Sequence, residues 1–309
     1  MTPKKTRSMS DYLEPLNING LQGRMLHAPA PKGKNREFLF IYGHHSSLER
    51  MFGFAEALNR YGAVTMPDLP GLGGMESFYK ISMKPSIDNM ADYLAAFIKF
   101  RYKRRRISII GLSLGFVVIT RMLQKYPEIA ERVDLLVSIV GFVHRDDFIF
   151  KRRNLYTLRY ASGILAGRLP AWFIQQVLLR PTFIRTAYKL VENKHVKFKD
   201  ADEAERERRI NFEVGLWQIN DVRTYMYISS RILNLDLCNS RVGLPVYHIS
   251  VSPDHFFDHK VVEQHLGVIY DLATEIKSNM KGHSHTVIAT AKDVAPFFPP
   301  KFRRLLASK

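Results

Sequence analysis

The chain has 309 residues, 46 % of them hydrophobic and 24 % charged, with a single cysteine, Cys238. That is enough apolar material for a sizeable core, and it excludes a disordered, collagen-like or disulfide-scaffolded chain and any zinc site built on several thiolates. Lys and Arg number 46 against 29 Asp and Glu, a net charge of +17. Such a balance favours polyanions, anionic membrane surfaces or acidic substrates without choosing among them.

The amino terminus carries Lys4, Lys5 and Arg7 but runs into Asp11-Tyr12-Leu13-Glu14 instead of an apolar segment, so no secretory signal is expected. The longest nearly apolar run, residues 107–120, falls short of the roughly 18–20 residues that cross a bilayer. With one cysteine and no targeting or spanning segment, a reducing, cytoplasmic setting is expected. Residues 37–42 form a short apolar run that stops at Gly43, as a buried strand does. Residues 48–61 have helical spacing through Met51, Phe54, Ala55 and Leu58 and end at Gly62. A second strand follows at 63–66, closed by Pro67, then a helix at 87–102 through Met90, Tyr93, Leu94, Phe97 and Ile98. A third strand is predicted at 107–110, a helix at 116–126 ended by Pro127, and a fourth strand at 133–140.

This alternation predicts an α/β protein with a mostly parallel central sheet covered by helices. From about Phe148 it stops: residues 149–240 read as helices only, at 156–166, 171–179 and 201–217. Strand logic returns at 245–251, followed by a helix at 260–270 and a strand at 273–280. A last helix spans 293–306, where the Pro299-Pro300 pair should break it. The chain thus divides into a core, residues 1–148 and 241–309, and an inserted all-helical block, residues 149–240.

The chemistry-bearing pattern is Gly111-Leu112-Ser113-Leu114-Gly115, between the third strand and its helix. In G-x-S-x-G the chain reverses sharply, the glycines relieve crowding, and the serine hydroxyl is held above the sheet. The next amide, that of Leu114, opens a helix and can donate to developing negative charge. A serine hydroxyl is a weak nucleophile near neutral pH. An imidazole must take its proton and later return it, and that imidazole needs a carboxylate on its other nitrogen.

With these residues in this order the sequence resembles the α/β-hydrolase fold family, in its serine-nucleophile branch with a helical cap. The resemblance covers about residues 16–309. Tyr42-Gly43-His44-His45-Ser46 stands where the family has His-Gly and its second oxyanion donor, and Asp68-Leu-Pro-Gly-Leu-Gly73 matches its Asp-x-Pro-Gly-x-Gly turn. Asp254 follows the strand after which the family keeps its acid, and His283, after Gly282, stands where it keeps its base. The resemblance implies Ser113 as nucleophile, His283 as base and acid, Asp254 as orienting carboxylate, and the amides of His44 and Leu114 as the oxyanion hole. Tyr42 in place of the usual histidine is the visible departure. Rivals stay open: His285 for the base, Asp258 for the acid.

Four possible ligands lie in Asp254-His255-Phe256-Phe257-Asp258-His259, but without a partnering cluster a loop with Asp258 as helix cap is the expectation, and no metal or cofactor is implied. His45, His144 and His248 are expected as hydrogen-bonded structural residues. The glycines at 71, 73 and 74 read as a tight loop, since no Gly-Lys-Ser/Thr follows to make a phosphate cradle. The basic run at 99–106 ends a helix and should complement its dipole at the end of the sheet away from Ser113.

A serine nucleophile points to ester, thioester or amide hydrolysis, or to cleavage of activated carbon–carbon bonds. The expected partner is a small hydrophobic acyl or ester substrate. Most of the large apolar residues of 149–240 (Ile164, Trp172 and Phe183 among them) are expected to pack within the cap or onto the core, the rest to line an apolar pocket. Interleaved Arg159, Arg168, Arg180, Arg185 and Lys189 allow contact with an anionic membrane surface. No specific nucleic acid is expected, and a non-catalytic binding role for the fold is the alternative from outside enzymology.

Overall fold

The computed structural model describes residues 8–191, 202–280 and 290–308. Eight strands form one sheet in the order β1-β2-β4-β3-β5-β6-β7-β8. They are β1 (Leu13–Ile18), β2 (Leu21–Ala28), β3 (Arg36–Ile41), β4 (Gly62–Pro67), β5 (Ile107–Leu112), β6 (Val133–Ile139), β7 (Val242–Ser250) and β8 (Tyr270–Lys277). β2 pairs antiparallel with both β1 and β4, and every other ladder is parallel. The β1–β2 hairpin closes through Asn19-Gly20, both at positive φ, the residue pair that a two-residue hairpin turn favours. It lies outside the elements expected from the sequence.

Every residue of β4 and β5 is buried, which is why these strands are continuous apolar runs with no alternation. The crossovers are α1 (Leu48–Asn59), α2 (Ile87–Tyr102), α3 (Leu114–Lys125) and the short α4 (Pro127–Ala130). Ser47 and Ser86 start the first two by accepting from the amides of Arg50 and Asn89. Between β6 and β7 the described chain is helical: α5 (Arg152–Leu165), α6 (Arg168–Phe173), a π-helical stretch Ile174–Leu178, α7 (Pro181–Val191), α8 (Glu203–Ile219) and α9 (Val222–Ile232). Then α10 (His259–Ile269) links β7 to β8, and α11 (Pro300–Ala307) ends the described chain.

Two expectations take a more definite form. The helical run over 293–306 is interrupted at Phe298 and Pro299, as expected, and the proline pair also begins the helix that follows. Pro299 caps α11 and Pro300 is its first residue, a position where the missing N–H has no intrahelical partner to lose. The large apolar residues of the helical block divide between inward and outward positions. Ile184 is buried, but Ile164, Trp172, Phe173, Leu178 and Phe183 are exposed. The reason is layering: α5 and α6 rest on α9, and α7 rests on α8, so α5–α7 form an outer tier.

The basic run at 99–106 lies at the start of β5, at the end of the sheet away from Ser113. Four of its six cations pair there with neighbouring acids: Lys99 with Glu128, Arg101 with Glu14, Arg105 with Glu37 and Arg106 with Asp134.

At the other end of the sheet, Tyr42 fixes the loop after β4. Its hydroxyl donates to Asp68 Oδ1 at 2.6 Å and accepts from the Leu69 amide at 3.2 Å, while Arg24 Nε donates to Asp68 Oδ2 at 2.9 Å. Both Tyr42 and Asp68 are fully buried. Gly73 approaches so closely that a Cβ would sit 2.3 Å from the Tyr42 hydroxyl oxygen. The tyrosine at the position of the usual histidine therefore has a structural use of its own. Tyr42→Phe is expected to lower stability by about 1–3 kcal/mol, because a buried carboxylate oxygen and a buried amide each lose a partner. Urea unfolding should show a lower midpoint with an unchanged slope.

Candidate active site

Three residues other than glycine adopt φ near +50° at the carboxyl ends of three adjacent central strands: His45 (51°) after β3, Ser113 (50°) after β5 and Val140 (43°) after β6. Backbone in this region is costly for side chains with a Cβ, most of all for a branched valine, and persists only where the surroundings enforce it. The Ser113 amide donates to the Ile139 carbonyl at 3.0 Å and its own carbonyl accepts from Phe116, closing the strand-to-helix reversal from both sides. Space is equally tight. A Cβ on Gly115 would meet the Ile41 carbonyl oxygen at 2.2 Å, and one on Gly43 would come within 3.1 Å of Ser113 Cβ. The turn after β3 is thus pressed directly against Ser113.

That turn carries the His44 amide, and α3 opens on the Leu114 amide. Neither donates to an acceptor among the described residues.

The His44 ring is held by the helical block. It stacks on Tyr225 of α9 at 4.1 Å with the planes 7° apart, and Nε2–H donates to the Tyr225 carbonyl at 3.2 Å. Burial and the neighbouring His45 hold its pKa down at about 3, so the ring is neutral. His45 packs against Trp217 of α8 and lies 3.3 Å from the fully buried carboxylate of Glu213, to which Tyr188 also donates. Glu213 was not singled out from sequence. A glutamate on a helix face reads as solvated until the fold buries it.

Asp254 lies beyond β7 with its side chain almost wholly buried. Oδ1 accepts from the amides of Phe256 at 2.8 Å and Phe257 at 3.3 Å, and Oδ2 accepts from His259 Nε2 at 3.1 Å. The chain of bonds continues inward: His259 Nδ1 is 3.0 Å from His248 Nε2, and His248 Nδ1 is 2.9 Å from Ser138 Oγ. A carboxylate can only accept, so His259 Nε2–H donates to Asp254, and His248 links that ring to the Ser138 hydroxyl. His248 is fully buried beside His259, which pushes its pKa down to about 3. Asp258, the rival acid, caps α10 by accepting from the Lys260 amide. His283 and its rival His285 lie outside the described residues. His259, read from the sequence only as one of four scattered ligand types, is the residue that the structure adds beside Asp254.

The described residues contain no cluster of three or more metal-ligating side chains. The glycines after Asp68 are committed to the loop itself: the Gly71 amide donates to the Met75 carbonyl, and the Gly73 amide to Asn220 Oδ1. A cleft of about 790 Å³ lined by Arg36, Asp134 and Leu305 lies at the far end of the sheet, where the strands begin. It holds none of the groups described above.

No protein-family model matches this sequence, and no curated protein does. Solved structures do. A membrane phospholipase A described as a bacterial virulence factor aligns with a TM-score of 0.65 at 15 % identity, over 96 % of this chain and 87 % of its own. A carboxylesterase of the ammonia-oxidizing Nitrososphaera gargenis aligns at 0.63 and 14 % identity, over 95 % and 96 %. The enol-lactonase of Burkholderia xenovorans LB400 aligns at 0.60 and 15 % identity, over 88 % and 93 %. The chain therefore has the α/β-hydrolase fold that its motifs implied.

The two buried neutral histidines make the fold acid-sensitive. In the unfolded chain each ionises near 6.5; in the folded chain each stays neutral down to about 3. Between those values the unfolded state binds more protons, so stability falls with falling pH, by up to a little over 1 kcal/mol per pH unit for each ring. Above pH 6.5 this contribution is fully present. The melting temperature is expected to hold from pH 8 to 7 and to drop steadily below 6.5. His248→Gln should start from a lower melting temperature and show a shallower acid slope.

Proposed function

We propose that the protein is a serine hydrolase that cleaves hydrophobic carboxylic esters or related acyl compounds through an acyl-enzyme. The observation that carries this reading is Ser113 at φ 50° on a strand-to-helix reversal, with the turn after β3, which carries His44, pressed against it and the helix that Leu114 opens following it. Ser113 Oγ attacks the acyl carbon while its proton passes to an imidazole, assigned to His283 from its place in the sequence. The carbonyl oxygen, now negative, is received by the amides of His44 and Leu114. Losing one donor of this kind typically costs about 3–4 kcal/mol of transition-state stabilisation. The imidazolium returns its proton to the departing alkoxide; water then repeats the cycle on the acyl-serine and releases the acid. Asp254 orients the imidazole and offsets its charge, and its own position is set by two loop amides and His259.

The apolar character of the substrate is inferred from the surroundings. Trp217 and Tyr225 pack over the His44–His45 turn, and Phe142, Phe148 and Phe257 stack with one another beside the Asp254 loop. Residues 149–240 act in this reading as the cap, joined to the core through the contacts of Asn220 and Tyr225. No helix among the described residues is long and apolar enough to cross a membrane. The free Cys238 suits a reducing compartment, and the cytoplasm is the proposed location.

A fluorophosphonate probe is expected to label the wild-type chain and not Ser113→Ala. A folded wild type that takes no label would remove the hydrolase reading. On p-nitrophenyl esters, kcat/KM should rise with acyl length before levelling. Asp254→Asn and His283→Ala should each lose at least about 100-fold, while His285→Ala keeps most of the activity.

A further inference from the structure

The net charge of the chain and its exposed apolar surface coincide. Residues 149–190 contain eight Lys and Arg and no Asp or Glu. Among the described residues only Arg185 of the eight is paired with a carboxylate, that of Glu207. In the other dense basic run, at 99–106, four of the six cations are paired with acids. The same stretch, 149–190, holds eleven of the seventeen large apolar side chains that the described residues expose. Ile164 is 70 % exposed, Leu169 77 % and Trp172 60 %. These belong to α5, α6 and α7, the outer tier, whose inner faces already rest on α8 and α9.

We propose that this outer tier is a docking surface for a lipid bilayer carrying anionic headgroups. A surface both apolar and uniformly cationic fits few partners. A second copy of the chain meeting it face to face would set eight cations against eight more, which excludes an isologous dimer through the same patch. A nucleic acid answers the cations and stacks on aromatic rings, but it gives Ile164, Leu169 and Leu190 nothing apolar to enter. An anionic bilayer answers both: arginines at the headgroup level, tryptophan and tyrosine in the interface, aliphatic side chains among the upper acyl carbons. No described helix is long and apolar enough to span, so the tier lies on the surface. This inference goes beyond the hydrolase reading and does not depend on it, since its readout is binding without turnover.

The test is co-sedimentation of the full chain with phosphatidylcholine vesicles and with vesicles containing 30 % phosphatidylglycerol. Binding is expected to be at least about tenfold tighter to the anionic vesicles and to weaken about tenfold or more between 50 and 500 mM NaCl. The variants Arg152→Gln/Arg153→Gln/Arg168→Gln and Leu169→Ser/Trp172→Ser each change only exposed side chains. Both should lose about tenfold or more with unchanged circular dichroism and melting temperature. Absence of binding to either vesicle overturns the proposal. So does heparin or single-stranded DNA binding that outcompetes the vesicles and survives Leu169→Ser/Trp172→Ser intact, or lipid-free dimerisation that the same double variant abolishes.

Discussion

The architecture turns on one steric constraint: β5 must end and α3 must begin within a single residue. Ser113 takes the strain of that reversal in its own backbone, and its neighbours can enforce it only because they approach without side chains in the way. The Ile41 carbonyl passes over Gly115, and Gly43 passes over Ser113 itself. The strain at Ser113 and the approach of the turn after β3 are therefore the same geometric fact. The energy that holds the arrangement comes from β3, β5 and β6, which are almost wholly buried, and from the continuous core beneath them.

Around that centre the two ends of the sheet do different electrical work. Where the strands begin, arginines and acids are paired at the surface, and such pairs contribute little each. Where the strands end, the polar groups are buried and must be satisfied by one another. Tyr42, Asp68 and Arg24 close one such set; Glu213, His45 and Tyr188 another. The second set crosses from α8 to the turn after β3, so the helical block is tied to that turn by buried polar contacts as well as by the aromatic stack of Tyr225 on His44. Displacing the block exposes those groups to water, which makes its position and the shape of the turn interdependent.

The core strands and their helices were legible because each is signalled locally: apolar runs cut by glycine or proline, helical spacing of Met90, Tyr93, Leu94 and Phe97, and a Gly-x-Ser-x-Gly at a strand-to-helix junction. What was illegible depends on tertiary partners. The β1–β2 hairpin has an Asn-Gly turn, but its strands mix Glu14, Pro15, Arg24 and His27 into their pattern, and nothing local marks them as the sheet's antiparallel edge. The amphipathic helices after β6 carry apolar faces that suit a protein core and a lipid interface equally well, so Trp172 and Phe183 read as buried when they are not. Tyr42 looked like a defect in a motif, because the hydroxyl's two partners come from a loop some 26 residues further along the chain.

His259 belongs to the same class of illegible residue, and its position explains how a buried carboxylate is held in place. Asp254 accepts from two main-chain amides and the His259 imidazole, which between them hold both of its oxygens. The imidazole is oriented in turn by His248, whose neutrality is enforced by burial, and His248 by the hydroxyl of Ser138 on β6. The carboxylate can only accept, so the His259 nitrogen that faces it carries the proton, and the row is ordered from its carboxylate end. Ser138 lies one residue before Ile139, whose carbonyl takes the Ser113 amide. The row that holds Asp254 and the reversal at Ser113 consequently meet on adjacent residues of one strand.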